Sequence, residues 1–185
     1  MINWVSQRLY FRPEDKDLLL SLVGPNFDFN RIIPMPDAIR NQDNTPNPGY
    51  PTWSDWASQH WGTLYSPDDV QWGDDYAIFD NEFNLAIPIF EALSAHLPLV
   101  LEWTDDDFND DRAGGFIVFD GNRTLLRADY AANSLGLFYA YQRINRDPDV
   151  RYDGHRFIYP GSPDFLHTPV LPIPEKTLDD FWGLL

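Results

Sequence analysis

Hydrophobic and polar residues alternate with a period of two along residues 4–11. A strand places successive side chains on opposite faces of a sheet, so this pattern predicts a β-strand at the start of the chain. One face of it carries Val5, Gln7, Leu9 and Phe11, and the opposite face carries Trp4, Ser6, Arg8 and Tyr10.

A helix is predicted between Pro13 and Gly24, because acids follow the proline in the first turn and apolar residues then recur at helical spacing. Residues 27–35, which end between two prolines, are predicted to be extended. Farther along, the same patterns predict helices over 52–62 and 87–97, and strands over 76–83, 99–103 and 114–119.

This order of elements predicts an α+β fold, an antiparallel sheet with helices on one face. Residues 1–122 are expected to form this α+β domain, with residues 41–62 as an insertion that contains a Trp-rich helix. Residues 123–185 are predicted to be an extension packed on the same domain. Within it, 125–143 fits either a helix or a strand pair, and the rest reads as an irregular Pro-rich C-terminal arm that ends in a short helix.

Composition supports a folded chain outside the membrane. The 185 residues are 43% hydrophobic and 16% aromatic, which suffices for a hydrophobic core, and they include no cysteine for a disulfide or a thiolate metal site. The N-terminus lacks the pattern of a signal peptide, and no stretch approaches the roughly 18 apolar residues of a membrane helix. We therefore expect a cytoplasmic protein that does not contact membranes.

Charge is strongly segregated along the chain. Residues 41–111 contain 15 acids and no Lys or Arg, whereas the remainder contains 13 basic and 14 acidic residues. The net charge of −16 therefore comes almost entirely from one segment. A field of this sign repels nucleic acids and anionic membranes and attracts basic protein surfaces, so no direct binding of nucleic acid is expected.

The first 120 or so residues resemble the YubB ferredoxin-like domain family of plasmids and phages. The resemblance rests on Asn3-Trp4 with Arg8-Leu9-Tyr10, on residues 27–36, on His60-Trp61-Gly62-Thr63, and on residues 87–93 leading into Leu97-Pro98-Leu99. It implies a ferredoxin-like fold and an origin in a mobile genetic element. It implies no catalytic residue.

The densest acidic stretch, residues 104–111, partly matches a calcium-binding loop. Asp105, Asp107 and Asn109 fit the first three ligand positions of an EF-hand, but Asp110 stands where Gly is needed and Phe116 where Glu is needed. No pair of histidines has the spacing of a helical metal site either. We predict that the protein holds no metal and no other cofactor.

Paired acids also raise the possibility of hydrolytic chemistry. Asp68-Asp69 and Asp74-Asp75 flank Trp72, a composition that occurs in sugar-binding sites. Such a reaction needs one carboxyl group that acts as an acid and another that acts as a base, and nothing nearby in the sequence distinguishes the two roles. The protein is therefore predicted not to be an enzyme. The tryptophans of the inserted helix are interpreted as core residues rather than as a platform for stacking bases.

Arginines near the C-terminus alternate with aspartates over residues 143–156, which predicts local ion pairs rather than a nucleic-acid site.

The leading hypothesis is a stoichiometric inhibitor of the DNA-mimic type. Its acidic surface would bind the basic surface of a host nucleic-acid-binding protein, such as a CRISPR effector or a restriction enzyme. The alternatives are a protein-binding module of unknown partner and a metal-dependent or sugar-active enzyme. The predicted partner-binding residues, expected to form one continuous surface, are Asp68, Asp69, Asp74, Asp75, Asp105, Asp106, Asp107, Asp110 and Asp111.

Overall fold

The computed structural model describes residues 4–40, 51–82, 84–105 and 113–185. The strands of its main sheet are β1 (Trp4–Tyr10), β2 (Asp68–Trp72), β3 (Tyr76–Glu82), β4 (Leu99–Asp105), β5 (Gly114–Phe119) and β6 (Thr124–Asp129). A separate short hairpin pairs β7 (Arg151–Tyr152) with β8 (Phe157–Ile158).

The described helices are α1 (Lys16–Val23), α2 (Asp37–Arg40), α3 (Trp53–His60), α4 (Ile87–Leu93), α5 (Leu135–Asn145) and α6 (Leu178–Trp182). Short 3-10 turns occur at Pro13–Asp15, Phe29–Arg31 and Phe165–His167. None of the helices in the described part of the chain is long and apolar enough to cross a lipid bilayer.

The main sheet has the order β2-β3-β1-β4-β5-β6, and every neighbouring pair of strands is antiparallel. Its first four strands, with α1 and α4 as connections, have the order of a ferredoxin-like core. The predicted α+β class is confirmed. The predicted boundary between residues 122 and 123 falls in the turn that joins the paired strands β5 and β6.

The alternation of β1 divides its side chains between two hydrophobic clusters. Leu9 packs in the larger cluster, which also contains Leu19 of α1 and Phe90 of α4. Tyr10 packs on the opposite face of the sheet, against Phe181 of α6. The sheet is therefore covered on both faces, and each cluster removes large aromatic surfaces from water.

The C-terminal third provides the second covering layer. The stretch 125–143 is neither one helix nor a strand pair, because strand β6 ends at Asp129 and helix α5 begins at Leu135. The Ser134 hydroxyl caps α5 by accepting a hydrogen bond from the backbone N–H of Leu137 (3.1 Å). The short helix expected after Thr177 is α6, and its Leu178 and Phe181 are buried.

Two predicted details were wrong. Residues 27–35 do not form an extended segment: Phe27 has a φ of 52°, and a 3-10 turn follows at Phe29–Arg31. This turn buries both Phe27 and Phe29. Strand β2 was not predicted, since its two leading acids resemble a loop.

Candidate functional site

Five of the described acids lie at the end of the sheet where β1 begins and β4 ends. The pairing of strands places Asp68 opposite Asp80, Glu82 opposite Trp4, and Asp105 opposite Val5. We call this group the acidic sheet end; its members are Asp68, Asp69, Asp80, Glu82 and Asp105.

Asp68 and Asp80 are direct cross-strand neighbours, and both side chains point to the same face of the sheet. In the described part of the chain, neither carboxylate forms an ion pair with a basic side chain. Two like charges in directly opposed positions destabilise a sheet. The repulsion between them is therefore not relieved within the described structure.

Removing this repulsion should stabilise the fold. We expect Asp80→Asn to raise the free energy of unfolding by about 0.2–1 kcal/mol, the usual size of a cross-strand pair effect. Urea denaturation of the wild type and the variant measures the difference. Asp74→Asn is the control, since Asp74 lies 3.5 Å from the ammonium of Lys16 and its removal should bring no gain.

The edge of the acidic sheet end is open to solvent. A cleft of about 620 Å³ lies against Asp68 and Asp69 on one side, and a second of about 410 Å³ lies between these two residues, Trp4 and Asp80. Asp69 has a φ of 50°, which lies in the left-handed region. At this position the register of the pairing between β2 and β3 shifts. This irregularity exposes both leading acids of the edge strand.

The expectation of one continuous surface was wrong for Asp74 and Asp75. These two residues lie in the turn after β2, whereas Asp68 begins that strand. A strand rises about 3.3 Å per residue, so the four steps from Asp68 to Trp72 separate the two acidic pairs by roughly 13 Å. Antiparallel pairing brings Asp68 and Asp69, but not Asp74 and Asp75, to the end of the sheet that contains Asp105.

The other predicted partner-binding residues, Asp106, Asp107, Asp110 and Asp111, lie outside the described residues. Most of the loop that suggested a calcium site lies there too. Within 4–40, 51–82, 84–105 and 113–185, no group of three or more His, Asp or Glu side chains is placed to hold a metal ion. The absence of a metal stays a prediction.

Trp72, which suggested a sugar site, is partly buried and packs against the larger hydrophobic cluster instead. Its indole N–H donates to the carbonyl of Pro25 (2.8 Å), and its ring stacks on Phe27 at a centroid distance of 5.8 Å. The acids on either side of Trp72 lie at opposite ends of β2. This arrangement does not bring the two acidic pairs together around one substrate.

The tryptophans of the inserted helix behave largely as interpreted. Thr52 caps α3, Trp56 and Trp61 are buried, and the indole N–H of Trp61 donates to the carbonyl of Ile33 (2.8 Å). Trp53 is half-buried and lines an open groove of about 420 Å³.

Sequence reasoning missed a buried polar cluster beneath the C-terminal layer. Glu102 of β4 has no exposed surface, and its carboxylate accepts hydrogen bonds from Nε (2.9 Å) and Nη2 of Arg143. It also accepts from the hydroxyls of Tyr10 (2.8 Å) and Tyr130 (2.7 Å). Glu102 therefore contributes nothing to the acidic surface.

The electrostatics of this cluster follow from its burial. Burial and the negative charge of Glu102 raise the pKa of the Tyr10 and Tyr130 hydroxyls. Burial alone would lower the pKa of Arg143, but the hydrogen bonds and charge of Glu102 outweigh it and raise that pKa. Both tyrosines thus remain neutral donors, and Arg143 stays charged.

The predicted lattice of ion pairs near the C-terminus holds only in part. Arg156 does pair with Asp153 (3.4 Å) and Asp164 (3.1 Å). Arg143 instead reaches Glu102, and Arg151 donates to the backbone carbonyls of residues 165 and 168. A hint was present in β4, where Glu102 stands within a run of apolar residues.

Comparisons with known proteins identify neither a family nor a function. No protein-family model matches the sequence, and no curated protein matches it. Among solved structures, the chain is similar to the crystal structure of the protein api92 from Yersinia pseudotuberculosis, of the family DUF1281, with 21% sequence identity and a TM-score of 0.49. That match covers 57% of this chain and 40% of the Yersinia protein. The function must therefore be argued from the surface of the chain itself.

Proposed function

We propose that the acidic sheet end binds the basic surface of a nucleic-acid-binding protein, and that the chain acts as a stoichiometric inhibitor by occupying the place of nucleic acid. The observation that carries this proposal is the directly opposed pair Asp68 and Asp80. No basic side chain of the described residues compensates this pair.

Stability alone gives no reason for this arrangement. A cross-strand pair of opposite charge at the same two positions would stabilise the sheet, whereas two aspartates weaken it. A partner that places a Lys or Arg side chain beside the two aspartates would replace their mutual repulsion with an attraction between opposite charges. The energetic deficit of the free protein is thus available as binding energy in a complex.

The geometry also suits a partner that normally binds a nucleic-acid backbone. Duplex DNA carries one negative charge per roughly 1.7 Å of its axis, so a groove that holds it is lined with regularly spaced cations. Carboxylates on adjacent strands lie about 5 Å apart, a spacing that several such cations can meet together. The field of a protein with a net charge of −16 would also accelerate association.

The resemblance to the YubB family supports an origin in a mobile genetic element, and hence a target in a host defence system. We infer that the partner is a CRISPR effector or a restriction enzyme in the cytoplasm of the host cell. Such a target would be inhibited by competition and not by catalysis.

The test begins with capture of the partner from host lysate and its titration with purified variants. Asp68→Asn, Asp69→Asn and Asp80→Asn together remove three charges, and Asn tolerates the left-handed backbone at position 69. We expect the dissociation constant at low salt to rise by about tenfold or more, and the difference to shrink as salt screens the charges. Short duplex DNA should compete with the wild-type protein for the same partner.

A control with matched charge carries Asp17→Asn, Asp74→Asn and Asp75→Asn, which alter acids away from the acidic sheet end. This control should bind as the wild type does. Equal losses in both triple variants would show that only net charge matters. Binding that is insensitive to both salt and DNA would overturn the proposal and favour a module with a neutral interface.

A further inference from the structure

A cavity of about 280 Å³ between β1, α5 and the C-terminal segment is unusual in this acidic protein, because three arginines line it. We call it the arginine cavity. Its lining includes Arg8, Arg143, Arg146, Glu175, Pro148 and Ile173.

Arg8 is the most buried cation with unused hydrogen-bonding capacity. It is 2% exposed, and its guanidinium lies 3.9 Å from the ring centroid of Tyr76. Nη1 donates to the backbone carbonyl of Arg143 (3.2 Å), whereas Nε is buried without an acceptor among the described residues. A guanidinium offers five N–H donors, so Arg8 is prepared to bind a further acceptor.

The charges around the cavity do not balance. Arg143 is neutralised by Glu102, with which it forms a buried pair. The carboxylate of Glu175 lies 3.4 Å from Nη2 of Arg8 while its side chain remains 80% exposed, and Arg146 forms no ion pair among the described residues. A long contact from an exposed carboxylate is a weak one. The cavity therefore keeps an excess of positive charge.

Arg146 occupies a backbone position that favours glycine. It follows the last turn of α5 with φ 51° and ψ 37°, the left-handed conformation of a helix C-cap. A side chain there costs conformational energy that glycine avoids. That side chain reaches back to the cavity, where Nη2 donates to the hydroxyl of Tyr76 (2.5 Å).

We propose that the arginine cavity binds a small organic anion whose carboxylate or phosphate head lies between Arg8 and Arg146. The head group would take the place of the Glu175 carboxylate, which in the free protein acts as an internal competitor. The apolar part of the ligand would lie against Pro148 and Ile173. This site is separate from the acidic sheet end, and either proposal stands without the other.

Two substitutions should change the affinity in opposite directions. Glu175→Gln removes the competitor and should strengthen anion binding by about 1.5-fold to fivefold, the effect of deleting one largely exposed like charge. Arg146→Gly relieves the backbone and should weaken binding by about tenfold, the loss of one charge-assisted hydrogen bond. Arg156→Gln, at an arginine outside the cavity that pairs with Asp153 and Asp164, is the control and should leave binding unchanged.

The probes are inorganic phosphate and butyrate, each titrated at constant ionic strength against sodium chloride and followed through the ¹⁵N NMR signals of the arginine Nε–H groups. The Arg8 signal should move as Nε gains an acceptor. Saturation by phosphate alone, by butyrate alone or by both identifies the accepted head group. No saturable shift with either probe in the wild type and in Glu175→Gln, or equal affinity of Glu175→Gln and Arg146→Gly, overturns the proposal. Urea denaturation confirms that each variant is folded.

Discussion

Arg143→Met is expected to lower the free energy of unfolding by about 3–5 kcal/mol, because it leaves the carboxylate of Glu102 buried without its cation. Glu102 has no exposed surface, and the side chain of Arg143 is 2% exposed. The two tyrosine hydroxyls that also donate to Glu102 cannot neutralise its charge. Urea denaturation at neutral pH, followed by tryptophan fluorescence, measures the loss.

The double variant Glu102→Leu, Arg143→Met provides the control for this result. It removes both charges together, so it should lose less stability than Arg143→Met alone. If Arg143→Met costs less than about 1 kcal/mol, the pair is not buried in solution as the structure shows. A double variant less stable than either single one would mean that the tyrosine hydroxyls dominate the cluster.

Phe181→Ala should cost about 3–5 kcal/mol, because it opens a cavity in the second hydrophobic cluster. Phe181 is fully buried, and its ring lies 5.1 Å from those of both Tyr10 and Phe116. The substitution leaves the other face of the sheet intact. Calorimetry or urea denaturation of the purified variant measures the change.

Leu184→Ala is the matched control in the same C-terminal stretch. Leu184 is 58% exposed, so its truncation should change stability by less than about 0.5 kcal/mol. If both variants lose equally little, α6 does not cover the sheet in solution. The comparison therefore tests whether the C-terminal third is an integral layer of the fold.

The sequence predicted those elements whose local signals agreed with their packing. Strand β1 alternates between two buried clusters, and α3 is capped by Thr52, whose hydroxyl accepts a hydrogen bond from the backbone N–H of Asp55 (3.2 Å). Strand β5 was predicted with its observed bounds, Gly114–Phe119. In these elements, the order of apolar and polar residues over a few neighbouring positions agrees with the burial that the tertiary structure imposes on them.

Prediction failed where distant parts of the chain decide the local structure. Strand β2 exists because β3 offers it a partner, not because Asp68 and Asp69 favour a strand. Phe27 adopts its turn because its ring is buried against Phe79 and Phe90. Neither contact is visible in a window of ten residues.

The candidate site was also predictable from the sequence only in part. The excess of acids is a property of composition and could be read directly, but its distribution over the two ends of the sheet depends on strand order. The arginine cavity could not be foreseen, because it joins Arg8 to residues that follow more than 130 positions later.

The buried pair of Glu102 and Arg143 also constrains the order in which the chain can be assembled. When synthesis has just passed β4, the carboxylate of Glu102 has no cation to accompany it into the interior, since Arg143 comes 41 residues later. Full closure of the sheet around this group must therefore wait until α5 has emerged from the ribosome. The N-terminal ferredoxin-like core and its C-terminal layer are then a single cooperative unit in folding, and a nascent chain that ends before α5 would remain open on that face.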